Sequence, residues 1–250
     1  MKKFDGAIFV IARLSSQRVP KKNLIELDGI PMIARLCERL KKSELTDQVI
    51  VCTSNEVTDD PLVNFCESNG ILVGRGPLEN VMERICIVAD LFNVKNIIEV
   101  LGDNPFVDSD LVDEAIRIFQ EGHYDYVANY SNDYSAKLRI KKFPIGVRVQ
   151  VYSRAAAADY SRKDINSLSH PSSFLYSNPG RYSVKLFGAE GVFTGMACSS
   201  QLNISVNYPQ NLEFARYIFQ KFGNDVCVSD ILKEIKTRSD LLDLVSQKNV

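Results

Sequence analysis

Short apolar runs alternate with longer stretches of helical period through the first half of the chain. The runs "AIFVIA" at 7–12 and "NIIEVL" at 96–101 predict buried strands, because continuous apolar runs of this length suit a sheet that is covered on both faces. The stretch at 77–92 predicts a helix, since its apolar positions recur every three or four residues: Val81, Ile85, Val88 and Leu91. This alternation predicts the α/β class, with a mixed, mostly parallel sheet and covering helices.

The pattern changes from about residue 130 to 200, a segment rich in Tyr, Ser and Asn. Runs at 143–153, 182–188 and 203–207 predict further strands, and the remaining C-terminal part predicts two or three helices. No internal repeat, linker or low-complexity tract interrupts the chain. We therefore interpret residues 1–250 as a single domain, in which residues about 130–200 form a small β-rich elaboration that completes a site or an oligomer contact.

The charge balance limits the partners of the protein. The chain has 30 Lys and Arg against 31 Asp and Glu, a formal net charge of −1, so we expect it to bind neither nucleic acid nor an anionic membrane surface. No run approaches the roughly 20 apolar residues of a membrane span, and the charges in "MKKFDGAIFVIAR" argue against a signal peptide. Six cysteines without a C-x-x-C pair are typical of reduced thiols. We expect a cytoplasmic protein.

Two loops of opposite charge follow two of the predicted strands. Residues 6–25 contain no carboxylate, and the loop after the first strand carries four cations: Arg13, Arg18, Lys21 and Lys22. The loop after the strand at 96–101 begins with Gly102 and Asp103. Ligands of open α/β sheets bind outside the carboxyl ends of the strands, so both loops are candidate ligand sites. Cations that neutralise a polyphosphate, beside a carboxylate that can hold Mg²⁺, predict nucleotidyl transfer from a nucleoside triphosphate.

Each loop taken alone is also typical of ordinary turn chemistry. Basic loops with a proline are common at solvated turns, and Asp followed by Asn-Pro commonly starts a turn. Their placement on one edge of one sheet favours the functional interpretation. Two other phosphate-binding patterns are absent, because the sequence has no G-x-x-x-x-G-K-[ST] and "GILVGRG" lacks the G-x-G-x-x-G spacing. The sequence therefore argues against a P-loop ATPase and against a dinucleotide-binding domain.

Three stretches resemble the motifs of one family. "ARLSSQRVPKKNL" at 12–24 is similar to the A-R-x-x-S-x-R-L-P-x-K opening of the cytidylyltransferases that make CMP-Kdo, and to that of the SpsF-like spore-coat polysaccharide cytidylyltransferases. "LGDNPFVDSDLVDEAI" at 101–116 resembles their G-D-x-P-x-x-D motif, and "ISVNYPQNLEFAR" at 204–216 resembles their V-D-T-P-E-D-L-E motif. The resemblance implies the three-layer, Rossmann-like fold of the nucleotide-diphospho-sugar transferases.

The resemblance also implies roles for residues that fall on these motifs. The implied catalytic residues include three cations that would bind the triphosphate: Arg13, Arg18 and Lys22. The fourth is Asp103, which would ligate Mg²⁺. The implied nucleotide-binding set is Ala12, Arg13, Leu14, Ser15, Ser16, Arg18, Lys22, Thr53, Ser54, Arg75, Asn80, Gly102 and Asp103. The members of this set from 53 to 80 would lie near the base.

Departures from the family's motifs bear on the metal and on the acceptor. Asn207 stands where relatives have the Asp of V-D-T-P-E-D, so the second metal ligand would be a neutral amide. Arg148 and Gln150 stand where relatives have Asp and Glu, which predicts a basic wall suited to an acceptor with extra negative charge. The implied metal ligands are Asp103 and Asn207, and the implied acceptor-binding residues are Asn104, Arg148, Gln150 and His170.

The sequence thus predicts a Mg²⁺-dependent cytidylyltransferase that transfers CMP from CTP to a small anionic acceptor and releases pyrophosphate. The acceptor would be an acidic sugar, a phosphate or a phosphonate metabolite, and we expect a homodimer. Two alternatives stay open. The lack of acids at 207, 210 and 211 is compatible with a nucleotide-binding protein without turnover. The same chemistry could also use another nucleotide and a sugar 1-phosphate.

Overall fold

The computed structural model of the chain describes residues 4–131, 138–159, 171–198 and 202–246. Its strands are β1 (Gly6–Ile11), β2 (Glu26–Leu27), β3 (Ile30–Pro31), β4 (Val49–Ser54), β5 (Leu72–Gly76), β6 (Asn96–Leu101), β7 (Tyr126–Asn129), β8 (Gln150–Ser153) and β9 (Val184–Phe187). Its helices are α1 (Met32–Leu40), α2 (Asp60–Ser68), α3 (Val81–Leu91), α4 (Ser109–Gly122), α5 (Arg154–Ala158), α6 (Ser173–Tyr176), α7 (Pro209–Phe222), α8 (Val228–Thr237) and α9 (Ser239–Val245).

Seven of the strands form one mixed sheet in the order β5-β4-β1-β6-β8-β7-β9. The strands β5, β4, β1 and β6 pair with one another in parallel, whereas β8 runs antiparallel to both β6 and β7. In the register of the central pair, Ile11 at the end of β1 lies beside Leu101 at the end of β6. The loops that follow these two strands therefore leave the sheet at the same edge, as expected from the sequence.

Side chains that alternate along the central strands build two apolar clusters, one on each face of the sheet. One face packs against helices that include α1, α4 and α7 through Ile8, Val10, Ile98 and Val100. The opposite face packs against α3, α5 and α6 through Ala7, Phe9, Ile50 and Ile97. This arrangement confirms the predicted three-layer α/β fold. Within the described ranges, no helix has the length and apolar character needed to cross a membrane.

Two of the predicted strands are wrong. The run at 143–153 contributes only Gln150–Ser153, and the run at 203–207 forms a single bridge between Asn203 and Ile145 in place of a strand. Gly146 accounts for part of this difference, because it has a φ of 103° and lies so close to the 204–205 backbone that a Cβ would be 2.4 Å from the Ser205 nitrogen. The chain turns there and pairs loosely with the approach to α7.

Candidate active site

The loops after β1 and β6 line one cleft of about 930 Å³. Seven residues of these loops that were predicted to bind the nucleotide line it: Ala12, Arg13, Ser15, Ser16, Arg18, Lys22 and Asp103. The segment before α7 reaches the same cleft through Asn207, and the segment before α6 contributes Pro171, so the region after residue 130 supplies part of one wall. The two strand-end loops and the segment before α7, which are distant in sequence, thus meet where the parallel strands end.

Lys22 joins these three segments at the centre of the site. Its Nζ donates to Asp103 Oδ2 at 3.1 Å, to the Val206 carbonyl oxygen at 2.9 Å and to Asn207 Oδ1 at 3.2 Å. Because an ammonium group has three protons, these contacts use all of its donors. The other carboxylate oxygen, Asp103 Oδ1, is buried and has no hydrogen-bond partner among the described residues. The site therefore holds one carboxylate oxygen that is available to a ligand.

Arg18 lies at the exposed side of the cleft and is held by Tyr208. Its Nη1 donates to the Tyr208 hydroxyl at 2.9 Å, and the guanidinium carbon lies 4.7 Å from the centroid of the same ring. Tyr208 is the N-cap residue of α7, whose backbone nitrogen donates to Asn211 Oδ1 at 3.0 Å. The capped start of α7 thus orients a cation that the motif analysis selected.

Close packing fixes the positions of both loops. The Gly102 nitrogen donates to the Ile11 carbonyl oxygen at 2.8 Å, and a Cβ on Gly102 would lie 2.8 Å from that of Ala12. Asn23 Nδ2 donates to the Arg13 carbonyl oxygen at 3.0 Å. Ala12 and Gly102, predicted as nucleotide-binding residues, therefore set how closely the two loops approach each other. Ala12 also lines the cleft.

Arg39 supports the Asp103 loop from the side of α1. Its guanidinium donates to the carbonyl oxygens of Phe106 and Val107 at 3.3 Å each and to Asp108 Oδ1 at 2.6 Å. Asp108 also accepts from the Val228 nitrogen at 3.0 Å. Burial raises the pKa of the Asp108 carboxyl to about 6, although Arg39 lies beside it. This buried pair ties the loop to α1 and α8.

Asp59, which the sequence analysis did not select, anchors the cationic loop. Its fully buried carboxylate accepts from the Leu14 nitrogen at 2.7 Å, from Thr53 Oγ1 at 3.0 Å, and from both the nitrogen (3.2 Å) and the hydroxyl of Ser54. Thr53 and Ser54 are fully buried in this cluster and do not line the cleft. Leu14 likewise contributes its backbone. Leu14, Thr53 and Ser54, which were predicted to contact the nucleotide, thus bind Asp59 in this structure and hold the cationic loop in place.

Replacing Asp59 with Asn is expected to destabilise the fold. The amide group would face hydroxyl and N–H donors, and leaving buried donors unsatisfied costs about 2 kcal/mol of unfolding free energy. Urea denaturation followed by circular dichroism measures this loss. Asp60→Asn is the matched control, because its carboxylate pairs with Arg75 at the surface and should cost below about 1 kcal/mol. Equal stabilities for the two variants would contradict the anchoring role.

Two other predicted base contacts are used within the fold. Arg75 donates to the carbonyl oxygens of Ser54 and Glu56 at 2.9 Å each and to Asp60 Oδ1 at 2.7 Å. Asn80 caps α3 by accepting from the Glu83 nitrogen at 3.0 Å. Neither side chain lines the cleft, although their neighbours Leu78, Glu79 and Val81 do. Their contact with a nucleotide stays a prediction.

The predicted acceptor residues Gln150, Arg148 and Asn104 are buried behind the cleft. Gln150 accepts from the Tyr126 hydroxyl at 2.6 Å and from Ser172 Oγ at 2.9 Å, and it donates to Glu99 Oε1 at 2.9 Å. Burial raises the pKa of the Glu99 carboxyl. None of the three predicted residues lines the cleft, and His170 lies outside the described residues. Their contact with an acceptor stays a prediction.

The donor set of the cleft fits one Mg²⁺ ion. Magnesium prefers oxygen ligands and is commonly held by one or two protein oxygens together with phosphate and water. The unpartnered Asp103 Oδ1 and the amide oxygen of Asn207 are oxygens of this kind. Within the described ranges, no three His, Cys, Asp or Glu residues cluster as a complete metal site. A metal at Asp103 would therefore need ligands from a bound phosphate.

Comparisons with known proteins show which family the chain resembles. A family model described as cytidylyltransferase matches residues 7–217. The spore coat polysaccharide biosynthesis protein SpsF of Bacillus subtilis (strain 168) is 28% identical to the chain, over 94% of this chain and 96% of that protein. The residues matched by the family model include the cationic loop, the Asp103 loop and the segment before α7.

Two solved structures share the fold. A cytidylyltransferase from Leptospira borgpetersenii serovar Hardjo-bovis (strain JB197) has a TM-score of 0.81 and 18% identity over 98% of both chains. The CMP:2-keto-3-deoxy-manno-octonic acid synthetase, solved with CTP, has a TM-score of 0.62 and 16% identity over 86% of this chain and 98% of its own. The family match over residues 7–217 shows that the chain belongs to the cytidylyltransferase family and is a nucleotidyltransferase.

Proposed function

We propose that the protein transfers CMP from CTP to an anionic sugar acceptor and releases pyrophosphate. The observation that carries this proposal is the convergence of Arg13, Arg18 and Lys22 with Asp103 in one cleft. Cations fixed by the fold can bind a triphosphate and also stabilise the charge that grows on the departing pyrophosphate. An acceptor oxygen forms a bond to the α-phosphorus while the bond from that phosphorus to the β-phosphate oxygen breaks.

Two of these cations, Arg18 and Lys22, have distinct supports in the fold. Arg18 is oriented by Tyr208, and Lys22 is held between Asp103 and Asn207. The main chain of the loop is pinned through Leu14 by Asp59. Because the cations are held before the substrate arrives, little reorganisation is needed when the triphosphate binds.

Asp103 and Asn207 are the residues that would hold a magnesium ion. When bound, the ion would neutralise phosphate oxygens and help to orient the α-phosphate. One protein carboxylate and one amide supply less negative charge than two carboxylates, so we expect metal binding to depend on the nucleotide. An acceptor that is already anionic at its attacking oxygen needs little proton transfer.

The direct test is pyrophosphate release by the purified protein. It is incubated with Mg²⁺, with each nucleoside triphosphate in turn and with a panel of acceptors that contains a 3-deoxy sugar acid, a sugar 1-phosphate and a phosphonate. We expect release with CTP and a CMP-linked product of matching mass. Release with another nucleotide and the sugar 1-phosphate would favour the alternative substrates, and release with no combination would count against the proposal.

Restoring an acid at position 207 should change the metal requirement. Asn207→Asp places a second carboxylate beside Lys22 and Asp103, so the Mg²⁺ concentration for half-maximal rate is expected to fall by about tenfold, because ligand charge tunes metal affinity. Titration of initial rates with Mg²⁺ measures this. Gln210→Glu is the control, since Gln210 is exposed and lies outside the cleft. An unchanged Mg²⁺ requirement in Asn207→Asp would remove residue 207 from the metal site.

A further inference from the structure

Arg84 is a buried cation whose donors are not all used within the fold. It lies in the first turns of α3, with 2% of its surface exposed. Its Nε and Nη1 atoms are buried and have no hydrogen-bond partner among the described residues. Unsatisfied buried donors are costly, and an unpaired buried charge more so. This cost calls for an explanation in the function of the residue.

Two other deeply buried arginines, Arg35 and Arg39, are well paired within the fold. Arg35 is 3% exposed and donates to the carbonyl oxygens of Leu27 at 2.6 Å and Asp28 at 2.9 Å. Arg39 is 4% exposed and donates to two carbonyl oxygens and to Asp108. The fold can therefore satisfy a buried guanidinium where the residue serves only packing.

Arg84 faces the candidate active site. It lines the same cleft as Arg13, Lys22 and Asp103. Burial lowers the pKa of its guanidinium against the opposing effect of the Cys52 side chain, which hydrogen-bonds it, and the nearby positive charge of Arg13 lowers the pKa further. Asp59 lies close enough to oppose this effect, but its oxygens accept from Leu14, Thr53 and Ser54. Arg13 and Arg84 thus face one cleft, and among the described residues no carboxylate is hydrogen-bonded between them. Such a pair of cations can donate hydrogen bonds to an anionic or carbonyl oxygen of a ligand.

The backbone around Arg84 is packed tightly against its stem. A Cβ on Gly76 at the end of β5 would lie 2.7 Å from Arg84 Cα and 2.9 Å from its Cβ and Cγ. Glycine at 76 thus allows β5 and α3 to approach and to fix where the side chain begins. A guanidinium held in this way is oriented before the ligand binds.

We propose that Arg84 is a nucleotide-binding residue whose guanidinium donates to an oxygen of the bound nucleotide. The proposal rests on the proposed function, since the cleft must bind CTP. The oxygen belongs either to a phosphate or to the carbonyl of the base, and both are acceptors that suit a buried guanidinium. Arg84 lines the cleft, whereas Arg75 on β5 has its guanidinium paired with protein acceptors outside it.

Arg84→Met and Arg75→Met form a matched pair for the test. Methionine keeps much of the side-chain volume and removes the charge. Replacing a buried, poorly satisfied ion with an apolar residue is often neutral or stabilising, so Arg84→Met should unfold in urea at the same or a higher midpoint than wild type. Arg75→Met should unfold at a lower midpoint, because three protein acceptors lose their donor. Both variants are measured without nucleotide.

Calorimetric titration with CTP gives the second measurement. We expect Arg84→Met to bind CTP at least about tenfold more weakly than wild type, the effect of losing one charge-assisted contact. Arg35→Met, which removes a buried arginine outside the cleft, should bind CTP as wild type does. Arg84→Lys should lie between wild type and Arg84→Met, because a lysine keeps the charge without the planar fork. Loss of affinity for CTP and CMP but not for cytidine, compared by ligand-observed NMR, identifies a phosphate oxygen. Equal loss for all three identifies the base.

Two results would overturn the assignment. One is wild-type affinity for CTP in Arg84→Met. The other is a loss of stability in Arg84→Met as large as that in Arg75→Met, or failure to fold, since either marks a structural role. If wild-type protein itself binds no CTP, the proposed function fails, and that outcome is separate because it appears before any variant is compared.

Discussion

Asp103→Asn is expected to lower kcat/KM for CTP by about 10²- to 10³-fold, the range seen when one preorganised electrostatic contact in an active site is removed. Among the residues that the structure describes, Asp103 alone both pairs with Lys22 and presents a buried, unpartnered oxygen to the cleft. Asparagine keeps the shape of the side chain but lacks the charge that holds the lysine and would attract a cation. The loss should therefore be catalytic, with the fold retained.

The measurement is pyrophosphate release under steady-state conditions, together with a thermal melt of each protein. Asp110→Asn is the control, because Asp110 is an exposed carboxylate in the first turn of α4, close in sequence but outside the cleft. It should retain wild-type rates. If Asp103→Asn kept half of the wild-type kcat/KM, the charge of Asp103 would be unnecessary and the proposed reaction chemistry would need another centre.

The main elements of the fold could be predicted because local pattern and tertiary position agree. The apolar runs that became β1 and β6 are buried on both faces, so the hydrophobic pattern alone carried the needed information. The β2–β3 hairpin had a signal that was not used, the Asp28-Gly29 pair with φ of 53° and 76°. The strands predicted at 143–153 and 203–207 were harder to predict correctly, because the course of the chain there depends on the close contact of Gly146 with the 204–205 backbone.

The candidate site was predictable in part for the same reason. The placement of Lys22 beside Asp103 followed from strand order, since β1 and β6 are neighbours and both loops leave one edge. Asp59 and Arg84 were missed because their importance depends on burial and on partners far along the chain. Leu14, for example, is 45 residues from the Asp59 carboxylate that accepts its N–H. A single sequence does not report such pairings.

Gln150 shows that a departure from a family motif can have a structural explanation as well as a functional one. A glutamine at a position where relatives have an acid suggested a contact with an anionic acceptor. In the structure it lies opposite Glu99 in the β6–β8 pair and donates to it. The amide thus pairs with a buried carboxylate that a second acid would repel.

Lys22→Met is expected to lower kcat/KM for CTP by about 10²- to 10³-fold, as removal of a preorganised charge at a site of charge development does. The side chain joins three segments because its ammonium group donates three hydrogen bonds. A bound triphosphate can therefore accept a hydrogen bond from Lys22 only if one of these protein acceptors gives up its own. We expect both effects together, a higher KM because the phosphate loses a cation and a lower kcat because Asp103 loses its support.

Lys21→Met separates this specific role from the general charge of the loop. Lys21 is adjacent and exposed, and it does not line the cleft. Lys21→Met should therefore change kcat/KM by less than about threefold. The change should be smaller still at raised ionic strength, because exposed charges act at a distance and are screened by salt. Lys22→Arg should not restore activity, since a planar guanidinium cannot reproduce the three contacts that the compact ammonium makes with Asp103, Val206 and Asn207. If Lys21→Met and Lys22→Met lost activity equally, the cleft would depend on overall positive charge, and the exchange of Lys22 between Asp103 and the triphosphate would be refuted.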